Sequence, residues 1–184
     1  MKRIWIGALG LCCLLLGACA SQQPVQLNYS PDRWAESCTG EVQLEPMHDA
    51  RKETQFIVRE GKVLKTDRDV PGWIQSALRD ELELRGCRVV SPQVHDGPFS
   101  QPYRLGGTLY EARLRTSYLK QQLVLKFQIT LEQGERKIFD KTYRGAWDTT
   151  DLPTQATLQE LLSSSLEDMM KDVMADVSHV MQKK

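Results

Sequence analysis

The sequence has no surplus of charge of either sign. Its 24 Lys and Arg stand against 24 Asp and Glu, so no broad one-sign field exists to draw in nucleic acid. Cysteine is scarce: five in 184 residues are too few for a disulfide-built scaffold, and a hydrophobic core has to carry the stability. Histidine is scarcer. His48, His95 and His179 are the three present, widely spread, whereas a zinc site needs three or four ligands converging. Each reads as a solvated surface side chain. The sequence also lacks His-Glu-x-x-His, Cys-x-x-Cys, Gly-x-Ser-x-Gly and a Gly-rich loop ending in Lys-Ser or Lys-Thr, which removes the strong signatures of hydrolases, redox proteins and nucleotide binders. Asp67 and Asp69 lack the later Gly and bidentate Glu of a calcium loop. Ser163, Ser164 and Ser165 have no nearby His to activate them. No catalytic residue, metal or cofactor is expected, and a cell-wall hydrolase is disfavoured for want of a nucleophile and base.

What is present begins with an address. Lys2 and Arg3 precede an apolar run over 4–18, the layout of a secretory signal. That run holds 15 residues, with Gly7, Gly10 and Gly17 among them, short of the roughly 20 a spanning helix needs. It closes on Leu16-Gly17-Ala18-Cys19, which resembles the bacterial lipobox, where small residues precede a cysteine that is diacylated and becomes the mature amino terminus. Cys19 is the expected anchor. Ordinary cleavage after a small-x-small triplet is the alternative. Leu11 before Cys12 and Cys12 before Cys13 make those cysteines poor rivals. Ala20-Ser21 lacks the Asp that resembles an inner-membrane retention signal, so the expected location is the outer membrane, facing the periplasm.

The remaining composition, 41% hydrophobic and 26% charged, describes one ordinary domain. We expect a signal peptide over 1–18, a lipidated amino terminus and flexible tether over 19–37, and a single α/β (α+β) domain over 38–184. The polar stretch from Ala20 to Pro31 would hold the domain up to roughly 35 Å off the bilayer. Val42 and Leu44 alternate with polar residues as a first strand, and Glu60-Gly61 suits a tight reversal between 56–58 and 62–64. Asp69 and Pro71 open an amphipathic helix that Gly86 closes, and 87–90 follows as a strand, favouring parallel pairing. Three strands are expected near 103–115, 121–132 and 137–146, the middle one with clean period-two alternation from Leu123 to Leu131. Past Pro153, eleven apolar residues from Leu158 to Met181 keep one helical face. The expected architecture is a small mixed sheet of about five strands with two main helices packed on one face.

Two surface or covalent features stand out. Cys38 and Cys87 survive processing in an oxidising compartment and open neighbouring strands, so a disulfide between them is expected; two buried thiols are the alternative. Arg113, Arg115 and Lys120 cluster on one sheet face, a candidate contact for anionic head groups or a glycan as well as an ordinary solvated face.

The lipobox at Cys19, the strand Val42-Gln43-Leu44 leading into Pro46-Met47-His48-Asp49-Ala50-Arg51, the helix from Ala77 through Leu78-Arg79-Asp80-Glu81-Leu82-Glu83-Leu84-Arg85 to Gly86, and the following Val89-Val90 together resemble the YajG-like lipoproteins. That family is similar in plan to the auxiliary lipoproteins of ABC-type lipid transport systems and to the LptE lipopolysaccharide-assembly lipoprotein. The resemblance implies helices against one face of a small mixed sheet and supplies no catalytic residue. Asp49 and Arg51 match its pattern and read as a turn-capping pair; Cys38 and Cys87 are not part of it. The functional expectation is a non-enzymatic lipoprotein held to the membrane at Cys19 and meeting an envelope protein, with no nucleic acid partner. The alternative is a module that binds lipid, lipopolysaccharide or glycan.

Overall fold

The computed structural model describes residues 23–31, 38, 40–90 and 102–183; the signal, Cys19 and His95 lie outside them. Eight strands form one mixed sheet, three more than the sequence suggested. The additional strands are short: the pair around Glu60-Gly61 joins the sheet as two strands, and a further strand of two residues, His48–Asp49, is held by a single long strand. That strand, β6 (Tyr103–Thr116), follows β1 (Glu41–Leu44), β2 (His48–Asp49), β3 (Ile57–Arg59), β4 (Lys62–Leu64) and β5 (Arg88–Val90). Along one edge β6 takes β1, β2 and β3 end to end, all parallel, with Val42 beside Tyr103, His48 beside Thr108 and Ile57 beside Leu114. β5 flanks β1 in parallel, and β4 flanks β3 antiparallel. Along its other edge β6 starts an antiparallel meander with β7 (Gln121–Gln133) and β8 (Arg136–Thr149).

In β7 the odd residues Leu123, Leu125, Phe127, Ile129 and Leu131 are fully buried, and the even ones lie on the opposite, wetter face. β6 keeps that register only by a bulge. Its pairing with β7 shifts between Leu109 and Glu111, leaving Tyr110 extra, so the inward set changes from Tyr103, Leu105 and Leu109 to Ala112, Leu114 and Thr116. One unpaired residue changes the parity of every side chain after it.

Two helices cover the inward face. The first, α1 (Val70–Leu84), is capped as its sequence implied: the Asp69 carboxylate accepts from Gly72 N at 2.9 Å, Pro71 sits in the first turn, and Gly86 takes a φ of 89° beyond the last turn. The second, α2 (Gln155–Gln182), opens on a capping box between Thr154 and Thr157. Its 28 residues extend about 42 Å at 1.5 Å each, comparable to β7. Leu158, Leu162, Leu166, Met170, Val173, Met174 and Val177 are buried along it, while Leu161 and Val180 lie at the rim. Ser165 is buried too.

One expectation is corrected. Residues 23–31, read as part of the tether, are laid into the fold: Val25 and Leu27 are buried with the core, Leu27 N donates to Asp67 Oδ1 at 2.8 Å, and Trp73 Nε1 donates to Asn28 O at 3.1 Å. The stretch is polar on average, yet its apolar residues alternate at 25, 27 and 29, which suffices for a one-sided extended segment.

Candidate functional site

The helices leave the other face of the sheet open, and the charged residues singled out in the sequence lie there. Arg113 and Arg115 both follow the bulge in β6 and project from this face, and Lys120 joins them from the hairpin into β7. They do not act as three free cations. Arg113 pairs with Glu111 at 3.2 Å and Lys120 with Asp148 at 3.6 Å; Arg115 alone has no carboxylate partner among the described residues. Two shallow clefts share this face. One, of about 470 Å³, is bounded by Lys52, Glu53, Tyr110, Arg113 and Lys126. The other, of about 380 Å³, lies between Glu53, Glu60, Arg113 and Arg115. Tyr110, the bulge residue, donates to Gln128 Oε1 at 2.6 Å, and the Lys126 ammonium stands 5.8 Å from its ring centre, within reach of a cation–π contact.

Asp49 and Arg51 pair at the rim of β2 through two side-chain bonds of 2.9 and 2.8 Å, and Arg51 N also meets Asp49 Oδ1 at 3.2 Å. The Arg51 hydrogen bond holds the Asp49 carboxyl below its ordinary range. This is a turn clasp, as the residue pattern implied. His48 and His179 are exposed. Among the described residues no three His, Cys, Asp or Glu are grouped to hold a metal.

Cys38 and Cys87 are joined in a disulfide, with 5.1 Å between their Cα atoms. Cys38 precedes β1 and Cys87 precedes β5, and these strands are parallel neighbours, which brings the two sulfurs together at the same end.

Two features escaped the sequence. The first is the edge formed by β8. Its 14 residues pair with β7 on one side, and among the described residues no strand lies on the other. Lys137 pairs with Asp140 at 2.8 Å, and Lys141 and Tyr143 both donate to Asp176 of α2. Burial alone would raise the Asp176 pKa, but those two hydrogen bonds outweigh it and lower it. Arg144 has no such partner among the described residues. Alternation in β8 is poor because only Tyr143 is buried on its inward side, and that weak pattern is itself the mark of an edge. The second feature is a buried pair with a half-buried third member: Glu81 of α1 accepts from Arg85 Nε at 3.1 Å and from the Tyr29 hydroxyl. Burial first, then the bond to Glu81, pushes the Tyr29 hydroxyl far above the ordinary tyrosine range, so it stays a donor.

These features define a class: a one-domain α+β fold whose curled mixed sheet is backed on one face by two helices and bare on the other. No family model matches the sequence, and no curated protein matches it. Among solved structures, a Xanthomonas campestris protein of the DUF330 family is similar over 88% of this chain and 98% of its own, with a TM-score of 0.68 at 10% identity. A hypothetical protein from Chlamydia trachomatis is similar over 80% of this chain and all of its own, 100%, with a TM-score of 0.56 at 5% identity. At such identities the likeness is one of fold.

Proposed function

We propose that this chain is a non-enzymatic lipoprotein of the bacterial envelope, anchored through Cys19 in the outer membrane and facing the periplasm. Its domain serves as a protein-interaction or auxiliary subunit of a transport or assembly system. The address rests on the lipobox-like Leu16-Gly17-Ala18-Cys19, and the kinship on the YajG-like residues of β1, β2 and α1. The observation that carries the interaction reading is the open edge of β8. An edge of 14 residues offers about 45 Å of unpaired backbone, and strand addition to such an edge is a general mode of peptide and subunit recognition. Its charges, Lys137, Lys141 and Arg144 among them, discourage indiscriminate pairing and ask for a complementary strand.

The ligand-binding alternative needs an apolar cavity between helices and sheet. Among the described residues Trp73, Ile74, Leu78, Leu125, Phe127 and Val173, which face that space, are all essentially inaccessible. The clefts lie on the far face and are lined with charge. No helix among the described residues is long and apolar enough to cross a membrane, so attachment falls to the amino-terminal segment.

The test is to purify the native protein in mild detergent from fractionated membranes with a photo-crosslinking residue at Arg144, beside a Cys19→Ala control. A stoichiometric envelope subunit crosslinked from position 144 is the expected result. A bound lipid or glycan with no protein would transfer the assignment to the ligand-binding reading, and unchanged membrane association of Cys19→Ala would overturn the anchor.

A further inference from the structure

Four of the six large hydrophobic side chains exposed among the described residues gather at one end of the sheet: Val63 at 50%, Tyr118 at 76%, Leu119 at 68% and Leu152 at 64%. The topology brings them together. β3 ends at Arg59 beside Thr116, where β6 also ends, so the β3–β4 turn and the β6–β7 turn lie side by side. β8 ends there too, with Thr149 opposite Gln121, and Gln121 Nε2 donates to Asp151 O at 3.0 Å, tying the Leu152 loop to the same hairpin base.

Turn chemistry does not account for Tyr118 and Leu119. Ser117 N donates to Lys120 O at 2.8 Å, leaving those two as the corner residues of a tight hairpin, where Asn, Asp and Gly are ordinarily recruited. The neighbouring turn follows that rule at its second corner, with Gly61 at φ 78° after Glu60 at φ 49°. Tyr118 and Leu119 instead stand exposed at the tip of the β6–β7 hairpin and contribute little to the core.

The chain enters the fold from this same end. Val25 forms a parallel bridge with Thr66, and its N donates to Lys65 O at 2.8 Å. β4 runs away from the hairpin tips, so Gln23 and Pro24, just before Val25, lie toward them. Gln26 lies beside Gln159, in the opening turns of α2 just past Leu152, which places the entry independently at that end. Five residues lie between Cys19 and Val25, and the six steps from one to the other reach only about 20 Å at full extension.

We propose that this end of the domain, led by Tyr118 and Leu119 with Leu152 and Val63 beside them, sits in the head-group layer of the phospholipid leaflet that holds the acyl chains of Cys19. It rests on the lipidation reading above. The cations at this end, Arg59, Lys62, Arg115 and Lys120, are accompanied by Glu60, Asp148 and Asp151, with Lys120 and Asp148 3.6 Å apart, so charge is nearly balanced and the apolar tips carry the contact. A tyrosine at a membrane–water boundary keeps its ring in the apolar layer and its hydroxyl in water.

To test this, p-benzoylphenylalanine is placed at position 119, and at exposed Leu84 at the opposite end of the sheet. The full chain, purified from membranes, is set in vesicles of phosphatidylethanolamine and phosphatidylglycerol at about three to one, irradiated, and read for lipid adducts by mass spectrometry. The expected yield at 119 is at least tenfold that at 84. Equal yields overturn the proposal, and adducts at 119 in intact envelopes that are to protein alone reassign the tip to a partner. The mass of the amino-terminal peptide separates the two readings. An acylated Cys19 with no excess at 119 sinks the docking alone, and an unmodified Cys19 sinks anchor and docking together.

Discussion

Glu81 lies on the covered side of α1, where a carboxylate must be matched by donors or expelled. It has two, Arg85 on its own helix and Tyr29 from a segment 52 residues earlier. Removing a partner from a buried charged group is more costly than the net value of the contact, because the remaining group keeps its desolvation penalty. Tyr29→Phe keeps the ring and removes only the donor, so it should lower the urea-denaturation stability by about 1 to 3 kcal/mol. Stability equal to that of the parent would show that residues 23–31 are detached in solution. The Glu81–Arg85 spacing is visible in the sequence, but the same spacing marks solvated helix pairs. What turned this pair inward is a distant segment, and no local pattern carries that information.

At the scale of elements, legibility follows self-sufficiency. α1, with Asp69 before it and Gly86 after it, and β7, with its unbroken alternation, carry their boundaries and buried faces in their own residues. β2 has two residues and is a strand only because β6 is there to pair with, whereas β3, of three residues, also has β4 beside it across the Glu60-Gly61 turn. The Tyr110 bulge is similarly silent, since a single change of parity looks like imperfect alternation. The candidate surface was legible in part: Arg113, Arg115 and Lys120 do share a face, and Glu111 two residues before Arg113 lies on it too, but Asp148, the partner of Lys120, emerges only with the β7–β8 register. For α2 the stripe was legible and its partner is the sheet. Val173, in the middle of that interface, has no accessible surface, so Val173→Asp should cost more than about 4 kcal/mol and unfold the domain. A melting temperature unchanged by the substitution would instead assign the stripe to an external partner.

For the molecule as a whole, the disulfide ties together two strands on the side of the sheet remote from β8. Its ends are 49 residues apart, and closing such a loop stabilises by up to about 4 kcal/mol on the chain-entropy model. The Cys38→Ser, Cys87→Ser double variant should lose a comparable amount, and two free thiols in the unreduced protein by mass spectrometry would remove the bridge altogether. The shared strand β6 has a different consequence, one of timing. A chain delivered amino end first presents residues 41–64 before the strand that three of their segments pair with, residues 103–116, has appeared. β1 can meet β5 and β3 can meet β4, but β2 has nothing to join. The β6–β7–β8 meander, built from adjacent hairpins, closes quickly once released. The latecomer is therefore the template, and the early half of the chain has to be kept from other partners until it arrives.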